Sequence, residues 1–375
     1  MTRRPYELIS ADSHVNEPPD LWTSRVPARY ADRAPRIERF ERGDAWVLEG
    51  AREPVPFGRN ACAGMGPWPP DPWMRFEEVR PGGYDPKARL LDQDLDGVDA
   101  EVLFPTPRVA NAVFVNPDRD FHVACIRAYN EWIAEFCSYR PDRFAGVALL
   151  PNSGIDDAIA ECTRVAARTG INAVTIGMYP HGDVRMERDD DRLWAALEET
   201  DLTLTIHVRL TDAAPGAHHA TLREGVIRML DVPVRLEEFI YTGVMWRFPR
   251  LRVAFVEVDA GWVPYWKEQA YNRWRRQDPA LRAERDMAES PLTCMDRIGF
   301  TYITDRYAVH NRHLVGLDQL MWSSDYPHSA SDHPFSWRTI ESDFYGVPEQ
   351  ERRAILAGNA MRFFKFPPEG PGSDP

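Results

Sequence analysis

Short apolar runs alternate with amphipathic stretches along most of the chain. Seven runs have the length and composition of strands, at 6–10, 100–104, 144–150, 173–176, 203–207, 252–258 and 319–322. Between them, stretches such as 118–137, 155–169 and 192–199 repeat apolar residues at helical spacing. This alternation predicts a parallel α/β architecture, either a closed barrel or a doubly wound sheet. In both architectures the functional residues lie at the carboxyl ends of the strands.

Two segments interrupt this alternation. Residues 18–85 are rich in proline, glycine and aromatic residues, too irregular for a long helix and too apolar for a disordered tail. We interpret this segment as an insertion that folds over the mouth of a barrel, with a structural arm or a dimer contact as an equal alternative. Residues 367–375 have the composition of a disordered tail. The expected organisation is therefore a single domain over residues 1–366.

Composition limits the classes of partner. The chain has 375 residues, 43% of them hydrophobic and 27% charged, and a net charge of -13. This acidic balance argues against nucleic acid or an anionic membrane as the main partner, because either would require a basic face. No apolar run approaches the length that spans a bilayer, so we expect a cytoplasmic protein. The five cysteines form no C-x-x-C pair, and neither a disulfide framework nor a thiolate zinc site is predicted.

Residues that bind metals stand at the ends of several predicted strands. Asp12 and His14 are two positions apart, and in an extended segment such residues share a face, so both can reach one ion. His207 ends a later strand, Glu257 lies in another, and Asp325 follows the last. Each residue alone has an ordinary structural explanation. Together they predict a site for a hard-to-borderline divalent metal at the open end of a barrel.

The motifs that contain these residues resemble those of the amidohydrolase-related proteins, amidohydrolase family 2 within the amidohydrolase superfamily. The resemblance runs over most of the chain and rests on ordered matches: Asp12-Ser13-His14-x-x-Glu17-Pro18, Arg89-Leu90-Leu91-Asp92-x-Asp94, Tyr129-Asn130-x-Trp132, Glu257-x-x-x-Gly261-Trp262 and Ser324-Asp325-Tyr326-Pro327-His328. It implies a distorted (β/α)8 TIM barrel with a metal at its mouth. The metal in such proteins is commonly zinc, manganese or iron, and homodimers are frequent.

The resemblance also implies roles for single residues. The first-strand ligand pair of the family falls on Asp12 and His14, its mid-chain ligand on His207 and its last-strand aspartate on Asp325. The chain departs from the family where Asp12 replaces the leading His, and where Glu257 replaces a His that commonly orients or deprotonates the water or substrate. No lysine stands at a strand end, which sets aside a carbamate-bridged binuclear site.

The predicted centre is unusually rich in carboxylates. A single metal held by Asp12, His14, His207 and Asp325 would act as a Lewis acid, with Asp325 also a candidate base. The extra carboxylate of Glu257 could instead recruit a second metal, and mixed His and carboxylate ligands suit oxygen-activating iron. The cofactor is thus one or two divalent ions.

Other residues near these strand ends have candidate roles. Asp325, Glu257 and His328 are the candidate catalytic residues. Glu17 and His328 are additional candidate ligands, although orientation of the other ligands is the favoured role for both.

Substrate contacts are predicted from fewer signals. Arg209 follows His207 by two positions and would share its strand face, where it would bind an anionic group; an ion pair at the barrel rim is the alternative. Trp68, Trp73 and Tyr326 would line an apolar pocket. These residues favour a small hydrophobic carboxylate, aromatic or terpenoid, as substrate.

Three functions are compatible with this sequence. The first is metal-dependent hydrolysis or non-oxidative decarboxylation of a small carboxylated metabolite. The alternative is a non-haem iron or di-iron monooxygenase that hydroxylates an apolar intermediate, such as a terpenoid of bacterial secondary metabolism. The third is a binding module that has lost catalysis, and the intact set of metal-binding strand ends argues against it.

Overall fold

The computed structural model describes residues 5–66, 71–211, 222–284, 287 and 289–372. Its central element is a sheet of eight parallel strands whose order follows the order of the chain. We number them β1 to β8: Ile9–His14, Ala100–Phe104, Phe144–Leu149, Ile171–Thr175, Thr203–His207, Val253–Val256, Ile298–Tyr302 and Leu320–Trp322.

Backbone hydrogen bonds bring the two edges of this sheet together. The amide of Asp325, just after β8, donates to the carbonyl of Asp12 in β1 at 3.0 Å. The amide of His14 donates in turn to the carbonyl of Tyr326 at 2.7 Å. The sheet is therefore a nearly closed barrel, and the predicted (β/α)8 TIM barrel is confirmed.

Seven of the eight strands lie where apolar runs predict them, and two have the predicted bounds. The seventh strand, Ile298–Tyr302, was missed, because Gly299 and Thr301 interrupt its apolar run. The first strand, predicted at 6–10, begins and ends later, at Ile9–His14, and contains Asp12 and His14. Its register shifts between Ser10 and Ser13 where it pairs with β2. The first two metal-ligand candidates are thus held inside the barrel wall.

Helices lie between the barrel strands. The predicted helix at 118–137 is Arg119–Ser138, and the carboxylate of Asp118 caps it by accepting from the amide of Phe121. The α-helices are Leu21–Arg25, Pro86–Asp96, Pro107–Phe114, Arg119–Ser138, Ile155–Ala166, Asp191–Thr200, Leu222–Tyr241, Val244–Arg247, Val263–Trp274, Pro279–Glu284, Arg306–His310, Arg312–Val315, Ser336–Asp343, Glu349–Arg353 and Asn359–Phe364. None of the described helices combines the length and apolarity that a bilayer crossing needs.

The segment at 18–85 contains a small antiparallel sheet of three strands, Arg36–Arg39, Asp44–Val47 and Val55–Pro56. Residues 59–63, which follow it, lie against the loop after β8. The amide of Ser329 donates to the carbonyl of Arg59 at 2.9 Å, and the amide of Ala63 donates to the carbonyl of Pro327 at 3.0 Å. We call residues 59–63 the strap.

The opposite end of the barrel is covered by the C-terminal helix. Phe363 and Phe364 pack against inward-facing residues of the strands. Their carbonyl oxygens accept hydrogen bonds from Thr203 and Asn172, near the amino ends of β5 and β4. Beyond this helix, Gly372 is hydrogen bonded to Arg140 and Asp142. The functional residues are left at the carboxyl end, as parallel barrels require.

Candidate metal centre

The first two residues of the centre are the most deeply buried. The side chains of Asp12 and His14 are both 0% exposed, and His14 Nε2 lies 3.5 Å from Asp12 Oδ1. The two side chains converge because they are two positions apart on one strand, as the sequence predicts.

The strands across the barrel add His207 and Glu257. His207 ends β5, and its Nε2 lies 3.2 Å from His14 Nε2 and 3.5 Å from Asp12 Oδ1. Glu257 directly follows β6, and its Oε2 lies 3.7 Å from His207 Nε2. Asp12, His14, His207 and Glu257 thus form one group whose ligand atoms all lie within 4.8 Å of one another.

The loop after β8 supplies Asp325 and His328. Asp325 Oδ1 lies 3.4 Å from His14 Nε2 and 2.9 Å from His328 Nδ1. The ring of His328 stacks on that of His14, with centroids 3.9 Å apart. His14, Asp325 and His328 form a second group that shares His14 with the first. The five predicted ligands, together with His328, therefore lie in two groups that share His14, and Glu17 belongs to neither group.

The tautomer of His14 follows from its hydrogen bond. His14 Nδ1 lies 2.8 Å from the carbonyl oxygen of Pro105. A carbonyl only accepts, so Nδ1 carries the hydrogen and the lone pair of Nε2 faces the centre. Burial, then the neighbouring His328 and His207, hold the pKa of His14 well below its usual value. His14 is therefore a neutral imidazole, the form that binds metals.

The pKa values of His207 and His328 shift in opposite directions. Burial lowers the pKa of His207, but the carboxylates of Asp12, Glu257 and Asp325 outweigh it and raise the pKa overall. Burial lowers the pKa of His328 to about 4, against the opposing effect of Glu257 and Asp12. The centre thus has negative charge concentrated around His207, which suits a cation.

The carboxylate of Asp12 is the clearest sign that the centre fits a metal. Among the described residues, neither of its oxygens accepts a hydrogen bond, although both are fully buried. A buried carboxylate without hydrogen bonds is costly, and a cation at this position would remove the cost. Its neighbours are imidazole nitrogens and further carboxylates, a donor set that suits zinc, manganese or iron.

Glu17 is also fully buried, and burial raises its pKa. Its Oε1 accepts a hydrogen bond from the amide of Thr106 at 2.9 Å. Thr106 adjoins Pro105, whose carbonyl fixes the ring of His14. These contacts agree with an orienting role for Glu17.

The structure shows the surroundings of two predicted substrate contacts, Arg209 and Tyr326. The β5 strand ends at His207, and Val208 has a φ of 59°, so Arg209 does not share a strand face with His207. Tyr326 points away from the cluster: its hydroxyl donates to Asp92 at 2.5 Å, and its ring lies under the guanidinium of Arg89. The shared strand face expected for Arg209 and His207 is thus wrong, while the substrate roles of Arg209 and Tyr326 stay predictions.

The structure does not test the substrate roles predicted for Trp68 and Trp73. The ring of Trp73 packs against Phe40, with centroids 5.9 Å apart, and beneath the guanidinium of Arg42. Trp68 lies outside the described residues. Their substrate roles stay predictions.

Two arginines near the mouth were missed by sequence reasoning. Arg59 belongs to the strap, and among the described residues its Nε is buried without a hydrogen-bond partner. Arg108 lies in the first turn of the helix after β2, and burial together with the like charge of Arg59 lowers its pKa. Neither residue ends a strand, so only the placement of the strap brings them together.

A third missed residue is Arg89, whose side chain is fully buried. Its guanidinium donates to the carbonyls of His14 at 2.8 Å and Tyr326 at 3.4 Å, and to both oxygens of Glu101. It therefore ties together the main chain next to His14 and Asp325. Its position in the Arg-Leu-Leu-Asp motif was the available signal.

Known proteins resemble this chain in sequence over most of its length. The family model described as amidohydrolase matches residues 11–366. The γ-resorcylate decarboxylase of Rhizobium sp. is 25% identical over 324 residues, which cover 80% of this chain and 92% of that protein.

Two solved structures share the fold. An amidohydrolase from Mycobacterium avium subsp. paratuberculosis has a TM-score of 0.74 and 18% identity, with 96% of this chain and 99% of that chain covered. The 5-carboxyvanillate decarboxylase of Novosphingobium aromaticivorans, complexed with manganese and 4-hydroxy-3-methoxy-5-nitrobenzoic acid, has a TM-score of 0.61 and 21% identity over 74% of this chain and 79% of that chain.

These matches give no support to the expected alternative, a non-haem iron monooxygenase. The family model covers most of the chain, including the strands that carry every predicted ligand. The chain therefore belongs to the amidohydrolase family and is a metal-dependent hydrolase or decarboxylase.

Proposed function

We propose that this protein is a divalent-metal-dependent decarboxylase that releases CO2, without oxidation, from a small aromatic carboxylate. The observation that carries the proposal is the close approach of His14 and His207 to Asp12, and of Asp325 to His14. Asp12 is a buried carboxylate that accepts no hydrogen bond from the described residues. The decarboxylase names of its relatives, which act on compact carboxylated compounds, support the same reaction.

Asp12, His14, His207 and Asp325 would hold one metal ion. Manganese is the proposed metal, because the 5-carboxyvanillate decarboxylase with a similar fold is complexed with manganese. The ligand atoms here, imidazole nitrogens and carboxylate oxygens, also suit this ion. When bound, a divalent ion supplies Lewis acidity toward oxygen atoms of the substrate. The Nδ1 hydrogen bond of His14 to Pro105 keeps its Nε2 available for this purpose.

Arg59 and Arg108 are proposed to bind the anionic part of the substrate. Both are only partly exposed, and their mutual repulsion is relieved when an anion lies between them. The strap places Arg59 beside the loop that follows Asp325, so the anion would lie at the edge of the metal centre. A guanidinium pair can also fix the orientation of a carboxylate through paired hydrogen bonds.

Glu257 is proposed to supply the proton of the reaction. Decarboxylation breaks the bond between the ring carbon and the carboxylate carbon, and the electron pair stays on the ring carbon as CO2 leaves. A proton must then form the new C–H bond. The Glu257 carboxyl lies on the more exposed side of the cluster, where it can donate this proton and be reprotonated by water.

The direct test is CO2 release from a panel of hydroxybenzoates by the Mn2+-loaded protein. We expect one or more members to yield CO2 and the matching phenol in equal amounts, and treatment with EDTA to abolish the release. Absence of CO2 from every member, or products of hydrolysis only, would contradict the proposal. An assay that follows both CO2 and the aromatic product separates these outcomes.

A further inference from the structure

Glu257 reaches the metal centre although strand alternation would direct its side chain to the outside of the barrel. In β6, Ala254 and Val256 pack with the inward-facing residues of the other strands. The next residue of a regular strand would face the surrounding helices. Instead, Glu257 has a φ of 55°, and its Oε2 lies 3.7 Å from His207 Nε2. The position of this carboxyl group therefore depends on a local turn of the main chain.

The neighbouring strand β7 holds this turn through Thr301. The amide of Glu257 donates to Thr301 Oγ1 at 2.8 Å, and the amide of Val258 donates to the carbonyl of Thr301 at 3.3 Å. Thr301 is 0% exposed, and β7 pairs directly with β6. A positive φ is unfavourable for a residue with a Cβ and persists only where the surrounding structure enforces it. The hydroxyl of Thr301 acts on the main chain of Glu257 itself.

The far end of the same turn is held separately. Asp305 Oδ2 accepts hydrogen bonds from the amides of Ala260 and Gly261, at 2.8 and 2.7 Å. Its Oδ1 accepts from the amide of Ala308, so this carboxylate also caps the helix after β7. Loss of the Thr301 hydroxyl would therefore release the turn at Glu257 while its far end stays anchored.

We propose that Thr301 is a positioning residue, whose hydroxyl holds the main-chain turn that directs the Glu257 carboxyl group toward His207. This inference rests on the proposed function, in which Glu257 supplies the proton. The reaction needs this group at a fixed place, because a small displacement of a reacting group lowers the rate steeply. The inference requires the oxygen of Thr301, not merely the volume of its side chain.

Two substitutions separate the oxygen from the volume. Thr301→Val keeps the shape but replaces the hydroxyl with a methyl group, so the Glu257 amide loses its acceptor. Thr301→Ser keeps the hydroxyl and loses the methyl group. Thr203→Val is the matched control, because Thr203 is also 0% exposed in a barrel strand and its hydroxyl donates to the carbonyl of Phe363 at the opposite end.

The first readout is the conformation of Glu257 in crystal structures of the Mn2+-loaded variants. In Thr301→Val we expect Glu257 to leave the positive-φ region and its carboxyl group to move away from His207. In Thr301→Ser and Thr203→Val we expect the wild-type conformation. An unchanged Glu257 in Thr301→Val would overturn the proposal. If Thr301→Val does not fold by far-UV circular dichroism, Thr301→Ala removes the same hydroxyl and is judged by the same criterion.

The second readout is steady-state CO2 release. We expect Thr301→Val to lower kcat by about 10-fold or more, with KM and Mn2+ content unchanged. Thr301→Ser should restore kcat to near the wild-type value, and Thr203→Val should leave it unchanged. Equal losses in Thr301→Val and Thr301→Ser would refute the role of the hydroxyl.

The two readouts also separate this inference from the proposed function. A displaced Glu257 with an unchanged kcat would refute Glu257 as the proton donor. If no hydroxybenzoate releases CO2, the proposed function fails, and the crystal structures alone decide whether Thr301 holds Glu257.

Discussion

The two sides of the metal centre are built differently. The buried side, Asp12, His14 and Asp325, comes from β1 and the loop after β8, and its side chains are at most 2% exposed. The open side, His207 and Glu257, comes from β5 and β6, and its side chains are 11% and 21% exposed. The buried side has its geometry fixed by the closure of the barrel, whereas the open side is more exposed.

The buried side is held by contacts that do not involve the metal. Hydroxyl groups of Ser10, Ser13 and Ser324 form a buried cluster that joins β1 to the end of β8. Arg89 binds the main chain next to the ligands on both strands. The main chain turns sharply on both sides, with positive φ at Val208 and Glu257 on the open side and at Asp325 on the buried side. We therefore infer that Asp12, His14 and Asp325 fix the geometry of the centre, while His207 and Glu257 lie on the side that solvent reaches.

The largest effect is expected for Asp12→Asn. The substitution keeps the shape of a fully buried side chain but removes the charge of a carboxylate that accepts no hydrogen bond from the described residues. We expect Mn2+ affinity to fall by more than about 100-fold, with CO2 release lost in parallel. Metal analysis after dialysis checks this result, with the exposed Asp20→Asn as a control that keeps its metal. Full metal content in Asp12→Asn would refute the ligand assignment.

Glu257→Gln should separate chemistry from metal binding. Glutamine has the same shape but cannot give the proton, so the rate of CO2 release should fall by about 100-fold or more, within the range for loss of a general acid. The Mn2+ content should stay at the wild-type level. An unchanged rate would exclude Glu257 as proton donor, and loss of metal would make it a ligand.

Arg89→Met tests the support of the buried side. Removal of one partner leaves the buried carboxylate of Glu101 without its ion pair, which usually costs about 3–5 kcal/mol of unfolding free energy. Arg25→Met breaks an exposed pair with Glu135 and should cost no more than about 1 kcal/mol. Urea denaturation measures both. Equal losses in the two variants would contradict a special role for Arg89.

The smallest effect is expected for Arg59→Met. Loss of one charged hydrogen bond to the substrate, worth about 1.5–3 kcal/mol, should raise KM by roughly 10-fold or more with little change in kcat. Arg42→Met, on the exposed part of the insertion, should leave KM unchanged. Steady-state kinetics measure KM and kcat for both variants. A fall in kcat at constant KM in Arg59→Met would instead assign Arg59 a role in catalysis.

The sequence predicts the fold and the ligand positions well because both depend on strand periodicity. Asp12 and His14 on one strand, with His207 and Asp325 at the ends of others, are brought together by any parallel barrel. Contacts that depend on local backbone turns could not be predicted from the sequence. The positive φ of Val208 moved Arg209 off the expected face, and the side chain of Tyr326 faces Asp92. Arg59 carries no periodic signal, and only the folded strap places it next to the loop after β8.

The central claim is that one divalent ion on these four ligands supports non-oxidative decarboxylation. It is tested most directly by titrating metal-free protein with Mn2+ while CO2 release from the best hydroxybenzoate is recorded. We expect activity to rise in proportion to bound Mn2+ and to reach its maximum at one ion per chain, without consumption of O2. Two bound irons per chain with O2 uptake, and no CO2 release with Mn2+, would contradict it.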